Sequence, residues 1–198
     1  MEHWKNIIFD FGNVLVEWHP ELIYGKHFGD EAKAWWFMRH VIDNEWRLRI
    51  DAGENMNTCI AELQCKHPDY KDAIELYRDC WREMLTGEVP GMRELLGQLS
   101  TANYQLYGLT NWSMETFPEA RERFGILQKI DRYVVSGAEG YVKPDPRLFN
   151  ILLDRYQLQA EECIFVDDNP DNVAAACSIG LHGILFTDAE TLRKKLNL

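Results

Sequence analysis

Short apolar runs recur along the chain, each giving way to a polar or glycine-containing turn and then to apolar positions at helical spacing. Residues 6–11 (NIIFDF), 104–109 (YQLYGL), 132–136 (RYVVS), 162–167 (ECIFVD) and 182–186 (HGILF) have the length and apolar content of strands covered on both faces. Between them lie stretches with recognisable helix starts. Pro90 precedes GMRELLGQLS, and Asp145 followed by Pro146 reads as an N-cap and first helical position before RLFNILLDRY. Asn169 and Pro170 make the same signal before DNVAAACSIG, where Gly180 is placed to end the helix. Strands alternating with helices predict an α/β fold, a doubly wound parallel sheet of Rossmann-like type, whose functional residues gather at the carboxyl ends of the strands.

One stretch breaks the rhythm. Residues 17–88 carry helical patterning, no convincing strand, and a turn-like DAGEN at 51–55. This predicts an inserted helical cap over 17–88, lying above the strand ends, with the α/β core formed by 1–16 and 89–198. Trp18, Trp35, Trp36 and Trp46 fall in this stretch at irregular helical spacing, which points mainly to packing.

Composition narrows the partners. The 198 residues are 46% hydrophobic and 27% charged, a globular balance. With 32 acids against 21 bases and a formal charge of −11, the chain repels phosphate backbones, so no nucleic acid partner is expected. No apolar stretch approaches the roughly 20 residues that span a bilayer, and MEHWKN does not start a signal segment. No membrane association and a cytoplasmic location are therefore expected. Cys59, Cys65, Cys80, Cys163 and Cys177 are odd in number, include no Cys-x-x-Cys pair, and read as reduced thiols. The sequence is compatible with a monomer and sets no oligomeric state.

The strand ends carry the chemistry. The first delivers Asp10, the second Thr110 and Asn111 (GLTNWS), the fourth Asp167 and Asp168 (FVDDNPDN), and Lys143 (YVKPDP) follows the third. Each has an ordinary use alone: Asp10 as a turn former, Thr110 or an Asp as a helix cap, Lys143 as a solvated loop lysine. Together they place three carboxylates, a hydroxyl and an ammonium on one rim. Clustered carboxylates repel unless a cation or shared proton relieves them, and an all-oxygen ligand set suits Mg²⁺. Lys143 and Thr110 then suit the oxygens of a phosphoryl group. Asp10 suits the attacking carboxylate, which splits a difficult hydrolysis into two displacements.

In their order, FDFGNV, LTN, KPDP and VDDNPDN resemble the four motifs of the haloacid dehalogenase (HAD) superfamily, and the helical insertion resembles its C1-type cap. The wording is most similar to the dehalogenase-like phosphatases of that superfamily, a group that includes bacterial sugar-1-phosphate phosphatases and the N-terminal phosphatase domain of soluble epoxide hydrolases. The resemblance covers nearly the whole chain. It implies a Mg²⁺-dependent phosphomonoester hydrolase for a small phosphorylated metabolite, a sugar phosphate among them. Asp10 is implied as nucleophile, Thr110 and Asn111 as phosphate binders, and Lys143 as anchor of both phosphate and nucleophile. Asp10, the Gly12 carbonyl and Asp168 are implied as metal ligands, with Asp167 and Asn172 in support.

Two positions depart from the pattern. Gly12 stands where the family carries an Asp that serves as general acid and base, a function typically worth about 10²- to 10⁴-fold in rate. Asn172 stands where many relatives carry another Asp that holds metal-bound water. Three readings accommodate Gly12: a phosphatase with an undemanding leaving group or an acid from elsewhere, with Glu17 and His19 the nearest candidates; a metal-independent 2-haloacid dehalogenase; or a degenerate binding module. A dehalogenase needs a cap arginine, for which Arg39, Arg47 and Arg49 are available, yet two added acids at 167 and 168 make little sense without a metal. The phosphatase reading is preferred.

Overall fold

The computed structural model describes residues 4–197. Five parallel strands form the central sheet: β1 (Asn6–Phe9), β4 (Gln105–Thr110), β5 (Arg132–Val135), β6 (Cys163–Asp167) and β7 (His182–Leu185), in the order β5-β4-β1-β6-β7. The five apolar runs supply these strands. β1 is central, with Phe9 registered between Gly108 and Val166, and all four of its residues are buried.

Alternation along the strands divides the core into two layers. Ile7, Phe9, Ile164 and Val166 face α7 (Met92–Thr101) and α12 (Ala189–Lys195), while Ile8, Leu109 and Phe165 face α10 (Pro146–Tyr156) and α11 (Pro170–Ser178). Two shorter helices, α8 (Phe117–Arg123) and α9 (Ser136–Glu139), follow β4 and β5. Asp145 and Asn169 act as N-caps, accepting from Arg147 N and Asp171 N respectively, with proline at the first helical position in both cases.

Between β1 and α7 the chain leaves the sheet. β2 (Val16–Trp18) and β3 (Leu85–Glu88) pair antiparallel and enclose six helices: α1 (Pro20–Phe28), α2 (Glu31–His40), α3 (Asn44–Asp51), α4 (Met56–Lys66), α5 (Lys71–Asp79) and α6 (Trp81–Met84). The expectation of no strand in 17–88 is thus corrected. VEW and LTGE are too short and too polar to show an apolar run, and pairing alone makes them strands. The helices bury a separate core around Tyr24, Phe37, Trp46, Ile60 and Ile74. Trp46 is buried and donates from its indole to the Cys59 carbonyl, whereas Trp35 and Trp36 are nearly half exposed, so the packing expectation fails for these two.

The turn between α3 and α4 docks on the sheet side. The Ser136 hydroxyl donates to the Asp51 carbonyl at 2.6 Å, and Glu115 accepts from Met56 N at 2.9 Å. Gly53, at φ +100°, lies so close to Gly137 that a Cβ would stand 2.7 Å from the Gly137 carbonyl oxygen. Only glycine fits there, both conformationally and sterically. All five cysteines are free thiols.

Candidate active site

The carboxyl edge of the sheet and the underside of the helical region enclose a cavity of about 470 Å³. Asp10 leaves β1 at this edge. Its Oδ1 accepts from Phe11 N at 2.6 Å and from Lys143 Nζ at 2.9 Å. Phe11 is wholly buried, its ring lying against Gly108 of the neighbouring strand where a Cβ would stand 2.3 Å from it. A side chain at 108 would displace Phe11 and, with it, the turn that aims Asp10.

Lys143 organises the floor. It is buried, and its ammonium donates to Asp10 Oδ1, to Asp167 Oδ2 at 2.7 Å and to the Leu109 carbonyl at 2.9 Å. An ammonium has three protons, and all three are engaged. Lys143 therefore holds Asp10 and Asp167 together, and a direct bond from it to a phosphate, part of the role expected of it, would require release of one of these partners. Asn111 holds Lys143 in turn: its Oδ1 accepts from Lys143 N at 2.7 Å and its Nδ2 donates to the Lys143 carbonyl at 2.9 Å. One amide proton of Asn111 remains for a ligand.

Asp167 has no exposure and is saturated by Lys143, by Asn169 N at 2.8 Å and by Asn172 Nδ2 at 3.1 Å to each oxygen. It is a positioning carboxylate. Asp168, the most open of the three acids, accepts only a long 3.3 Å bond from Asn13 Nδ2. Of the five buried side-chain polar atoms with no protein partner among the described residues, two belong to residues at the carboxyl edge of the sheet: Thr110 Oγ1 and Asn172 Oδ1. An orphaned buried hydroxyl or amide oxygen costs about 1–3 kcal/mol, so each marks a place where a ligand or ordered water belongs.

Electrostatics gives the same picture. Burial pushes the Asp10 carboxyl up to about 7; Lys143 pulls it down, and Asp167 and Asp168 push it up again. Burial lowers the Lys143 ammonium, but Asp10 and Asp167 outweigh this and hold it charged. Asp168 is raised by burial and then by Asp167. Oxygens of Asp10, Asp167 and Asp168 lie within 4.8 Å of one another, three carboxyls against one ammonium. That deficit of positive charge, with hard oxygen donors and the Gly12 backbone on the cavity wall, fits a divalent cation.

Gly12 itself meets nothing within 4 Å of a would-be Cβ, so packing does not demand glycine there. Glu17 and His19 do not line the cavity and are corrected as proton-donor candidates. Glu17 sits on β2 and accepts from Thr86 Oγ1, and His19 pairs with Glu21 at 2.7 Å. Of the three candidate arginines, Arg47 alone lines this cavity; Arg49 is tied to Glu54 and Glu62, and Arg39 lies over Trp35. The roof also contributes Trp18, Asn44, Asp51, Tyr77 and Trp81. No motif in the sequence marked Asp51, which is four residues after Arg47 on α3 and has no regular spacing to the sheet-edge residues.

Comparison with known proteins places the chain. The model of the haloacid dehalogenase-like hydrolases matches residues 4–180, and the chain belongs to that family. It is 28% identical over 190 residues to a sesquiterpene phosphatase, astK, of Aspergillus oryzae, covering 93% of this chain and 91% of that one. It is 37% identical over 119 residues to mouse acyl-CoA dehydrogenase family member 10, covering 58% of this chain. The chain spans only 11% to 50% of the length of three of its curated relatives. A magnesium complex of the HAD family enzyme BT-2542 from Bacteroides thetaiotaomicron superposes with a TM-score of 0.75 at 16% identity, over 100% of both chains. Among the described residues, no helix is long and apolar enough to cross a membrane.

Proposed function

We propose that this chain is a Mg²⁺-dependent phosphomonoesterase acting on a small phosphorylated metabolite, with 17–88 as a cap over an α/β core and Asp10 as nucleophile. The observation that carries this reading is the cluster of Asp10, Asp167 and Asp168, whose oxygens lie within 4.8 Å of one another against the single Lys143 ammonium; at the end of β4 the buried Thr110 hydroxyl has no protein partner. Asp10, the Gly12 carbonyl and Asp168 would hold the metal, which supplies positive charge against the phosphoryl oxygens when bound.

Asp10 has one oxygen fixed by Phe11 N and Lys143, which orients the carboxylate for attack on phosphorus. Attack gives an aspartyl-phosphate at Asp10 and releases the alcohol; water then attacks phosphorus and regenerates the carboxylate. Thr110 donates its hydroxyl to a phosphoryl oxygen, and the free Asn111 proton serves another. Lys143 offsets the negative charge of Asp10 and Asp167 throughout. A cavity of about 470 Å³ suits a metabolite rather than a macromolecule. The phosphatase names of relatives such as the Aspergillus oryzae enzyme agree with this class of reaction.

The test is a screen of phosphorylated metabolites and an aryl phosphate with Mg²⁺, alongside 2-haloacids. Phosphate release that stops in excess EDTA and returns with Mg²⁺ is expected. Release that is unchanged in EDTA overturns the metal assignment, and halide release without phosphatase activity replaces the reaction by dehalogenation.

A further inference from the structure

Cleavage of an alkyl phosphate ester leaves an oxyanion that needs a proton, and Gly12 offers none. Five carboxyl side chains line the cavity: Asp10, Glu21, Asp51, Asp168 and Asp171. Asp10 and Asp168 belong to the floor already described. Glu21 is held by His19, and Asp171 is exposed at the start of α11. Asp51 remains.

We propose, resting on the phosphatase reading, that Asp51 delivers the proton to the leaving oxygen when the ester is cleaved and takes one from water in the following step. In the first step the Asp10 carboxylate bonds to phosphorus, and the bond from phosphorus to the ester oxygen breaks. The electron pair stays on that oxygen, and the Asp51 proton moves to it, giving a neutral alcohol and an Asp51 carboxylate. In the second, water bonds to phosphorus, its proton passes to Asp51, and the bond between phosphorus and Asp10 breaks with its electrons returning to Asp10. Inorganic phosphate leaves and both carboxyl groups are restored.

The placement supports this assignment. Asp51 ends α3, in the roof facing the sheet edge, so it approaches from a different side than the metal-binding acids. Its backbone is fixed by the 2.6 Å bond from Ser136 Oγ, and the adjoining Gly53 is seated against Gly137. The end of α3 that carries the carboxyl therefore has a set position relative to the floor. Asp51 is half-buried on the cavity wall, and among the described residues its carboxyl oxygens have no hydrogen-bond or ion-pair partner, which leaves them free to meet a ligand. The charged and titratable groups acting on it are Arg47 one turn earlier, Lys143 from the floor and Tyr77 from α5. Neither cation is within ion-pair distance, and burial outweighs both, lifting the carboxyl to about 7. An acid with that value holds a proton at neutral pH in part of the population and gives it up readily, the condition for a general acid.

The experiment uses the full chain with Mg²⁺ and reads the first turnover of two substrates. One is a simple alkyl phosphate, whose leaving group needs a proton; the other is 2,4-dinitrophenyl phosphate, whose leaving group does not. In Asp51→Asn, alcohol release is expected to fall roughly 10²- to 10⁴-fold while dinitrophenol release stays within about threefold of wild type. Asp51→Glu, which keeps an acid, recovers part of the alkyl rate. The retained dinitrophenol burst also reports that the variant is folded; Asp51→Ser is read in the same way if the amide disturbs α3. Equal loss on both substrates in a variant of unchanged circular dichroism and melting temperature makes Asp51 a substrate-binding residue and overturns the proposal, as does an unchanged alkyl rate. If wild type releases neither alcohol nor dinitrophenol, the phosphatase reading has failed instead.

Discussion

The floor and the roof of the cavity are built on opposite rules. On the floor, Lys143, Asp167 and Asn111 are closed into one network in which almost every polar atom has a protein partner, and the exceptions, Thr110 Oγ1 and Asn172 Oδ1, stand out against it. On the roof, Asp51 has an open carboxyl among aromatic neighbours Trp18, Tyr77 and Trp81. The floor is organised before a ligand arrives. The roof leaves its polar groups free, which is what a surface must do if the leaving group is to meet it.

Substitutions on the two sides should part accordingly. The largest effect is expected from Asp10→Asn, with turnover falling on the order of 10⁴-fold or more and the melting curve little changed; release of phosphate at the wild-type rate removes Asp10 as nucleophile. Lys143→Met breaks the floor structurally as well as catalytically. Removing one partner of a buried charge network costs about 3–5 kcal/mol, here because Asp10 and Asp167 lose their common ammonium. Without that ammonium the Asp10 carboxyl, already at about 7, rises further. A buried acid raised above its unfolded value penalises folding at pH values above that unfolded value, so the deficit should be greatest at and above neutral pH and shrink on acidification. Urea melts of wild type and variant at several pH values measure it, and a deficit independent of pH contradicts the network.

Smaller effects test the seam between roof and floor. Gly53→Ala combines a left-handed backbone with a 2.7 Å approach to Gly137, and is expected to cost roughly 1–3 kcal/mol and to raise KM through a displaced roof. Gly12→Ala, with open space around it, should change stability by less than about 0.5 kcal/mol. Calorimetry on the pair separates a glycine that the fold requires from one that it merely tolerates. A comparable loss in both would mean that the floor turn at 11–16 is held more tightly than its contacts indicate.

Much of this molecule is legible in its linear pattern. Five apolar runs became the five parallel strands in place, because each stands out without partner information; only the inner strands β1 and β6 are buried throughout, while the edge strands β5 and β7 are partly exposed. Asp145 and Asn169 cap their helices as their proline neighbours predict. Residues at strand ends, namely Asp10, Asp167 and Asp168, converge because a parallel sheet brings its carboxyl ends together, and Lys143 reaches them from the loop after α9. The short β2–β3 pair escaped notice because VEW and LTGE carry no periodic signal and acquire strand geometry only from each other. Trp35 and Trp36 look like core residues by type, yet their exposure depends on which way α2 rolls against the rest of the cap.

By itself, then, the sequence determined the sheet and the acids at its carboxyl edge, since these follow from local pattern and from topology. Tertiary structure alone decided three things: that Lys143 gives all its protons to protein, that Glu17 and His19 stand away from the site, and that Asp51 opens into it. The first rests on contacts within the α/β core; the other two depend on the angle at which a helical region docks across the sheet edge. That angle is set by packing between distant segments, such as Gly53 on Gly137, and no spacing within one segment encodes it.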